Sequence, residues 1–297
     1  MTRKTKFDIK SSLMILVFCL AWASAFATAK YGLQFWPPFW FLATRFLLTA
    51  LFFLALCALF GRLAKLSRKR FAGLVVLGLL NNVGYLGFAW YSLSVDGIPS
   101  GLVATIISAN PVLVTLAQFT LVAASFSQRK LFGVVLGFAG VAYILQSRVS
   151  VEGVPLYIIG LLCVALLSFS AATILFSRLN GKTDFWLSLS VQNMAGAAAL
   201  YIPALLFEDV PKVWFEPQFV MSMFYLVVVI GLSFVLWFKL IETKGMAEAS
   251  SLHFIMPPLG LFYGWLAFDE SIPLGDYMGL VPIILGIYLV THSRNAA

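Results

Sequence analysis

Long apolar segments separated by short polar ones run along the whole chain. They are bounded by charged residues, proline or glycine, and most are close to the length of about 20 residues that an α-helix needs to cross a bilayer. The pattern predicts an all-α integral membrane protein. We predict ten transmembrane helices, near residues 11–31, 38–60, 71–92, 98–121, 131–147, 154–177, 185–207, 217–240, 246–268 and 274–292.

Composition excludes a large soluble domain. Of the 297 residues, 61% are hydrophobic and 11% are charged, and the mean hydropathy is +0.96, whereas soluble domains have about 25% charged residues. Any chemistry must therefore take place within or between membrane helices. Cys19, Cys57 and Cys163 lie scattered in apolar runs without the spacing of a metal site or disulfide framework, and we interpret them as packing residues. We expect no metal and no other cofactor.

The charged residues predict the orientation. If the N-terminus is cytoplasmic, sixteen of the twenty lysines and arginines fall on the cytoplasmic side, where basic residues near span ends are retained. Both termini are therefore predicted to be cytoplasmic. No basic stripe interleaved with aromatic residues lies outside the apolar runs, so we expect no nucleic-acid partner for the net charge of +8. Acidic residues of the opposite side are Asp96, Glu152, Glu208, Asp209, Glu216, Asp269, Glu270 and Asp276.

The two halves of the chain resemble each other at an offset of about 147 residues. An odd number of spans in each half would insert the second copy upside down, so we predict two inverted five-helix repeats, 11–147 and 154–292. Inverted repeats are typical of secondary transporters, in which they permit alternating access to a site at mid-membrane. The matches are Leu20–Ser24 with Leu167–Ala171, Pro111 with Pro258, and, one residue out of step, Gly133 and Gly140 with Gly279 and Gly286.

Proline interrupts the fourth and ninth spans. Pro111 follows Asn110 in the fourth span, and Pro257 precedes Pro258 in the ninth. A proline frees a backbone carbonyl that must find a partner in protein or in a water-lined cavity. Paired breaks of this kind indicate a transporter site, although close packing of small residues would give the same pattern.

Several segments resemble the EamA-type branch of the drug/metabolite transporter (DMT) superfamily. The resemblance lies in Trp22-Ala23-Ser24-Ala25-Phe26, Lys30, Pro37-Pro38, Arg45, the segment 101–111, Gly133, Gly137 and Gly140, and again in 249–258, Asp269-Glu270, Gly279 and Gly286. It covers nearly the whole chain. The family often ends the fourth span with a Leu-Gly-Glu-like element, whereas this chain has Ser125-Phe126-Ser127. The resemblance implies a central cavity formed by spans 1–4 and 6–9, peripheral fifth and tenth spans, and export of small metabolites such as amino acids.

Two ionisable residues inside predicted spans are candidates for substrate binding. Arg45 is the only lysine or arginine well inside a span. Its guanidinium could bind a substrate carboxylate through two hydrogen bonds, or pair with an acid or with backbone carbonyls. His253 in the ninth span could bind substrate or relay a proton, or it could be a hydrogen-bonded packing residue. No aspartate or glutamate lies at mid-depth, so proton coupling would rest on His253.

Neutral polar and aromatic residues complete the predicted cavity. Gln192 is of interest because it is the repeat counterpart of Arg45, whereas some of the other residues could form only interhelical hydrogen bonds. The full predicted substrate-binding set is Trp22, Arg45, Asn82, Tyr85, Thr105, Ser108, Asn110, Gln192, Trp237 and His253, with helix breaks at Pro111, Pro257 and Pro258.

The sequence predicts a secondary transporter that exports small metabolites, either amino acids or related amphipathic compounds, across a bacterial-type inner membrane. The alternative is an uptake carrier or facilitator for an organic anion or a nucleoside-like metabolite. An intramembrane enzyme is a remote alternative, because His253 and His292 belong to no HExxH motif and no Cys–His cluster. The expected partners are a small-molecule substrate and the lipid bilayer, with proton coupling left open and the protein either a monomer or a homodimer.

Overall fold

α-Helices occupy most of the predicted spans in the computed structural model, which describes residues 9–96, 98, 100–121, 127–146, 154–179, 184–256, 258–259, 262–263, 266 and 274–292. Two helices contain a wider π-helical stretch, and the short helix that begins at Met246 continues as a 3₁₀ helix over Leu252–Ile255. The helices are α1 (Ile9–Gly32), α2 (Pro38–Leu59), α3 (Arg68–Ser94), α4 (Ser100–Ile107), α5 (Asn110–Leu121), α6 (Gln128–Gln146), α7 (Leu156–Leu179), α8 (Phe185–Phe207), α9 (Pro217–Lys244), α10 (Met246–Ser251) and α11 (Leu274–Thr291).

Six of these helices, α1, α2, α3, α7, α8 and α9, are long and apolar enough to cross a bilayer. The fourth predicted span is divided into α4 and α5 by a turn at residues 108–109, next to the predicted break at Pro111. The ninth predicted span is described only in part, and Pro257 lies outside the described residues. The all-helical prediction is confirmed, whereas the number of ten spans remains a prediction.

Helices α2 and α8 form a long antiparallel pair. The Ser190 hydroxyl of α8 donates to the carbonyl of Ala50 in α2 over 2.9 Å. Thr44 and Tyr201 share a 3.2 Å hydrogen bond between their hydroxyls. Because these contacts follow the pair along its length, they fix the register between the two helices.

Glu208, directly after α8, closes one end of this pair. Its two carboxylate oxygens accept hydrogen bonds of 2.9 Å from the backbone N–H groups of Phe39 and Trp40. These N–H groups belong to the first turn of α2, where helices leave donors unpaired, and Pro38 at the helix start has no N–H to offer. Burial raises the pKa of Glu208, and the two hydrogen bonds oppose that rise.

Helices α6 and α11 form a second antiparallel pair, in which glycines lie at the helix–helix contact. A Cβ atom at Gly133 would lie 2.8 Å from the carbonyl oxygen of Gly286, and one at Gly140 would lie 2.8 Å from that of Gly279. The helices therefore approach each other as closely as their backbones allow. This pair has its own small core of Val134, Val141, Phe254, Ile283 and Val290, apart from the main core.

The two π-helical stretches lie in α3 and α9, over Leu79–Gly87 and Tyr225–Ile230. A π-helix accommodates an extra residue per turn, so it shifts the side chains after it to a new face of the helix. At the offset of about 147 residues, these two stretches fall at nearly corresponding positions. Both stretches pack in the main core, where Tyr85 and Ile230 are buried.

The glycine contact between α6 and α11 generates a stability prediction. We expect Gly286→Ala to destabilise the protein by about 1–3 kcal/mol, the usual cost of overpacking, because the new Cβ would meet the Gly133 carbonyl at 2.5 Å. Thermal unfolding of the purified protein in detergent measures the change. Gly160→Ala is the matched control, since a Cβ at Gly160 has no neighbour within 4 Å and alanine is the better helix former. Equal effects of the two substitutions would show that the close approach is absent.

Candidate functional site

A cavity with about 310 Å³ of empty space, including its mouth, lies between α1, α2, α3 and α9. Its enclosed part measures only about 20 Å³, room for about one water molecule, so a substrate would enter only when the helices move apart. We call it the Arg45 cavity, because Arg45 is the charged residue in its lining. The residues that line it are Trp22 and Ala25 of α1, Arg45 of α2, Tyr85, Leu86 and Trp90 of α3, and Ile230 and Phe234 of α9.

Arg45 lies two turns into α2 and is only 3% exposed. Its Nε and Nη1 atoms are buried and have no hydrogen-bond partner within the described part of the chain. The guanidinium carbon lies 5.0 Å from the ring centroid of Trp90 and 5.2 Å from that of Phe46. Cation–π contacts stabilise a desolvated cation by about 2 kcal/mol, and they leave the N–H donors of Arg45 available for an anion.

Aromatic rings form most of the cavity wall. The ring centroids of Trp22 and Phe234 are 4.6 Å apart. Tyr85 stacks on Phe169 at 4.3 Å, which connects the cavity to α7. Tyr85 belongs to the first π-helical stretch and Ile230 ends the second, so the wall of the cavity follows the locally altered geometry of both helices.

A second cluster surrounds His253 in the 3₁₀ segment after α10. We define the aromatic cage as Phe18, Trp22, Phe169 and Trp237, whose ring centroids lie 6.1, 5.7, 5.2 and 4.7 Å from that of the imidazole, each at a steep angle to it. His253 is 3% exposed. Trp22 belongs both to the cage and to the lining of the Arg45 cavity, so the two clusters adjoin.

The break between α4 and α5 brings further predicted residues together. Ser108 is buried in the turn, and Asn110 is fully buried and accepts a 2.8 Å hydrogen bond from the Ser170 hydroxyl through Oδ1. The Nδ2 atom of Asn110 has no partner among the described residues. The Thr105 side chain and Pro257 lie outside the described part, and Pro258 is half-buried.

Asn82 and Gln192 lie at the contact between α3 and α8 instead of in the Arg45 cavity. The Asn82 Nδ2 donates to the backbone carbonyl of Gln192 over 3.1 Å. Gly196 faces the Asn82 side chain and Gly78 faces the Gln192 backbone so closely that no Cβ would fit at either glycine. Nε2 of Gln192 is buried without a partner in the described residues. Asn82 therefore joins two helices.

Within the described residues, no three histidine, cysteine or acidic side chains are grouped as ligands of a metal ion. The chemistry that the site offers is instead a cation, an imidazole and several aromatic faces. Such groups bind and orient a small molecule by charge, hydrogen bonding and stacking.

Trp90, Phe18, Phe169 and Phe234 are site residues that the sequence analysis did not select. For two of them the repeat contained a signal. The offset of 147 residues relates Trp22 to Phe169, and it relates Trp90, which packs on Arg45, to Trp237, which packs on His253. Phe18 and Phe234 lie among many phenylalanines in apolar helices, and only the packing distinguishes them.

Comparison with known proteins supports a transporter. The sequence pattern of the EamA-like transporter family matches the chain twice, over residues 9–146 and 156–292. The chain is 26% identical to the transporter YoaV of Bacillus subtilis over 290 residues, which cover 96% of this chain and 98% of the relative. It is 23% identical over 295 residues to a protein of Chlamydia trachomatis named as an S-adenosylmethionine/S-adenosylhomocysteine transporter, covering 95% and 89% of the two chains.

One solved structure has the same fold. It superimposes with a TM-score of 0.77 at 20% sequence identity, and the match covers 95% of this chain and 96% of that one. At this identity the likeness concerns the fold alone. The prediction that the chain is a membrane transporter of the EamA type is confirmed by the family match and the named relatives.

The contact between Asn82 and Gln192 separates packing from binding. We expect Asn82→Ala to lower the stability of the purified protein by about 1 kcal/mol through the lost interhelical hydrogen bond. Substrate affinity should stay unchanged. The control is Asn193→Ala, since among the described residues the Asn193 amide donates to the Leu189 carbonyl within its own helix. Thermal unfolding and ligand binding are measured on both variants. A loss of substrate affinity without a loss of stability would show that Asn82 belongs to the binding site.

Proposed function

Because the chain belongs to the EamA-like transporter family, we propose that it is a secondary carrier for a small metabolite with a carboxylate group and an apolar body. The direction is export across a bacterial-type inner membrane, by alternating access. Amino acids and related amphipathic compounds are the class of substrate that fits this description. The observation on which the proposal depends is the buried guanidinium of Arg45.

The charge of Arg45 favours an anionic ligand. A cation in the interior of a membrane costs about 2.5–3.5 kcal/mol on insertion scales, and such residues are normally paired. No salt bridge to Arg45 is formed within the described residues, and Nε and Nη1 keep free donor capacity. A carboxylate in the cavity would accept two parallel hydrogen bonds from a guanidinium and would neutralise the charge.

The walls of the Arg45 cavity favour an apolar or aromatic body on the same molecule. Trp22, Tyr85, Trp90 and Phe234 offer ring faces, and Leu86 and Ile230 offer aliphatic surface. A polyamine meets the wrong charge here.

Alternating access is supported by the internal symmetry of the chain. The family pattern matches once in each half, which favours the two inverted repeats, 11–147 and 154–292. The helix contacts follow the same symmetry. Helix α1 of the first half packs on α9 of the second half, just as α7 of the second half packs on α3 of the first. Helix α2 packs on its counterpart α8, and α6 packs on its counterpart α11. Two related half-structures can exchange their conformations and so open the site to either side in turn.

Orientation, site membership and assembly are further parts of the proposal. The distribution of basic residues supports cytoplasmic termini. Four other predicted residues, Ser108, Asn110, Trp237 and His253, would lie on the route beyond the Arg45 cavity. The residues that line the Arg45 cavity belong to one chain, and the protein acts as a monomer or a homodimer.

A carboxylate-bearing, nucleoside-like metabolite is the second candidate. The aromatic faces of the cavity suit the stacking of a purine base, and one relative is named as an S-adenosylmethionine/S-adenosylhomocysteine transporter. Of such compounds, a molecule without excess positive charge would suit Arg45 better than a sulfonium cation. Uptake or facilitated diffusion of such an organic anion would use the same contacts.

Substitution of Arg45 tests the proposal. We expect Arg45→Ala to reduce transport of carboxylate substrates at least tenfold, the equivalent of losing a charge-assisted hydrogen-bond pair. Arg45→Lys should have an intermediate effect, since lysine keeps the charge but not the two-pronged geometry. Proteoliposomes are loaded with a mixture of amino acids, nucleosides, organic acids and polyamines, and mass spectrometry identifies the compounds that leave.

Arg62→Ala is the matched control, because Arg62 is exposed and forms a surface ion pair with Asp184. It should transport like the unaltered protein. Efflux that is equally fast with and without Arg45, or efflux confined to polyamines, would contradict the proposed site.

A further inference from the structure

His253 has a fixed tautomer. Its Nδ1 atom lies 3.2 Å from the backbone carbonyl oxygen of Ser250. A carbonyl oxygen can only accept, so Nδ1 must carry the proton in this contact. The lone pair of the neutral ring is therefore on Nε2, a buried atom with no hydrogen-bond partner in the described part of the chain. The imidazole thus has one unused site, and that site is a proton acceptor.

The aromatic cage suits the protonated ring. The centroids of Trp22, Phe169 and Trp237 all lie within 6 Å of the imidazole centroid with the ring planes at steep angles, an arrangement that allows the N–H edge of an imidazolium to point at an aromatic face. Each such contact stabilises a desolvated cation by up to about 2 kcal/mol. The cage therefore offsets part of the cost of an imidazolium without supplying a fixed negative charge.

Among the described residues, the charged groups around the cage leave the ring without a permanent counter-ion. Lys130 of α6 and Glu248 of α10 are bound to each other, with Nζ and Oε1 2.6 Å apart, and α5 contains no titratable residue. Cys19, which follows Phe18 in α1, is a buried titratable group that is uncharged as a thiol. Exposed titratable groups on the helices around the cage include Tyr143, Cys163, Arg178, Lys239, Glu242 and Tyr288. A proton on Nε2 would thus be held reversibly.

The position of His253 links it to the transport site. The residue lies in the 3₁₀ segment Leu252–Ile255, where the ninth span departs from α-helical geometry close to Pro258. Trp237, which packs on His253, is the repeat counterpart of Trp90, which packs on Arg45. Trp22 contacts the imidazole and also lines the Arg45 cavity. A movement of the Trp22 ring at one cluster therefore also changes the contacts of the other cluster.

We propose that Nε2 of His253, inside the aromatic cage, is the proton-binding site that couples transport to a pH gradient. When the cage opens to water, the Nε2 lone pair takes a proton from a hydronium ion, whose O–H bond breaks to leave water. The imidazolium keeps its Nδ1–H bond to Ser250, and it returns the Nε2 proton to water on the other side. This inference rests on the proposed carrier function.

The transport test uses the two histidines of the chain. Proteoliposomes hold the dye pyranine, which reports internal pH, and the same mixture of amino acids, nucleosides and organic acids. We expect an imposed pH gradient to drive solute at least fivefold beyond equilibrium in the unaltered protein and in His292→Gln, whose histidine is exposed at the end of α11. His253→Gln should lose this gradient-driven movement, whereas His292→Gln should keep it.

Spectroscopy tests the proton site separately from transport. In His292→Gln labelled with ¹⁵N-histidine, His253 is the sole histidine, and its nitrogen resonances report the tautomer directly. We expect Nδ1–H with a bare Nε2 at high pH, and protonation of Nε2 on acidification at a pH that shifts when the substrate mixture is added. This measurement tests proton binding at Nε2 even if His253→Gln fails to fold.

The outcomes distinguish the two proposals. Exchange that proceeds in the unaltered protein but ignores the pH gradient would overturn the role of His253 and leave the carrier intact. If no solute moves, the carrier proposal fails, and the resonances still decide whether Nε2 binds a proton. An Nε2 that stays bare over the whole pH range, or a ring with the proton on Nε2 alone, would overturn the proton site.

Discussion

A buried guanidinium that has no carboxylate partner in the described part of the chain is the constraint on which the rest of the structure depends. Arg45 is almost fully buried, and its donors are unsatisfied within the described residues. Water cannot serve it as it would on a surface, and the faces of Trp90 and Phe46 supply attraction but no hydrogen-bond acceptor. A site of this kind is stable enough to fold and still retains free energy for an anion, as a carrier requires. A permanent carboxylate partner would have satisfied the arginine and removed its affinity for substrate.

The remaining helices hold that arginine in place and shape the space around it. α2 is fixed along α8 by hydrogen bonds and is closed at its first turn by Glu208. The π-helical stretches of α3 and α9 change which side chains face the cavity, and so place Tyr85 and Ile230 in its wall. On its far side, Trp22 connects the cavity to the aromatic cage of His253. In the proposed mechanism, transport depends on one charged cluster and one titratable cluster that share the ring of Trp22.

Much of this arrangement could be predicted from the sequence, because hydrophobic length, proline and charge act locally. The long helices lie where apolar runs predict them, the fourth span breaks beside Pro111, and Arg45 is buried as its position in a span implies. The π-helical stretches could not be predicted, since neither contains a proline or another local signal. Single side chains present the same difficulty. Asn82 is predicted in the cavity but joins α3 to α8, because the packing of distant segments decides which face of a helix lines a cavity.

The most direct measurement of the central claim is the thermal stability of the purified protein with matched pairs of small molecules. Each pair consists of an amphipathic carboxylic acid and its methyl ester or amide, which share the apolar body and lack the charge. A ligand at one hundred times its dissociation constant stabilises the folded state by about 2.7 kcal/mol, enough to raise the melting temperature visibly. The account predicts that at least one acid raises it and that its ester does not. Esters that stabilise the protein as well as their acids, or stabilisation by polyamines alone, would contradict an anion site at Arg45.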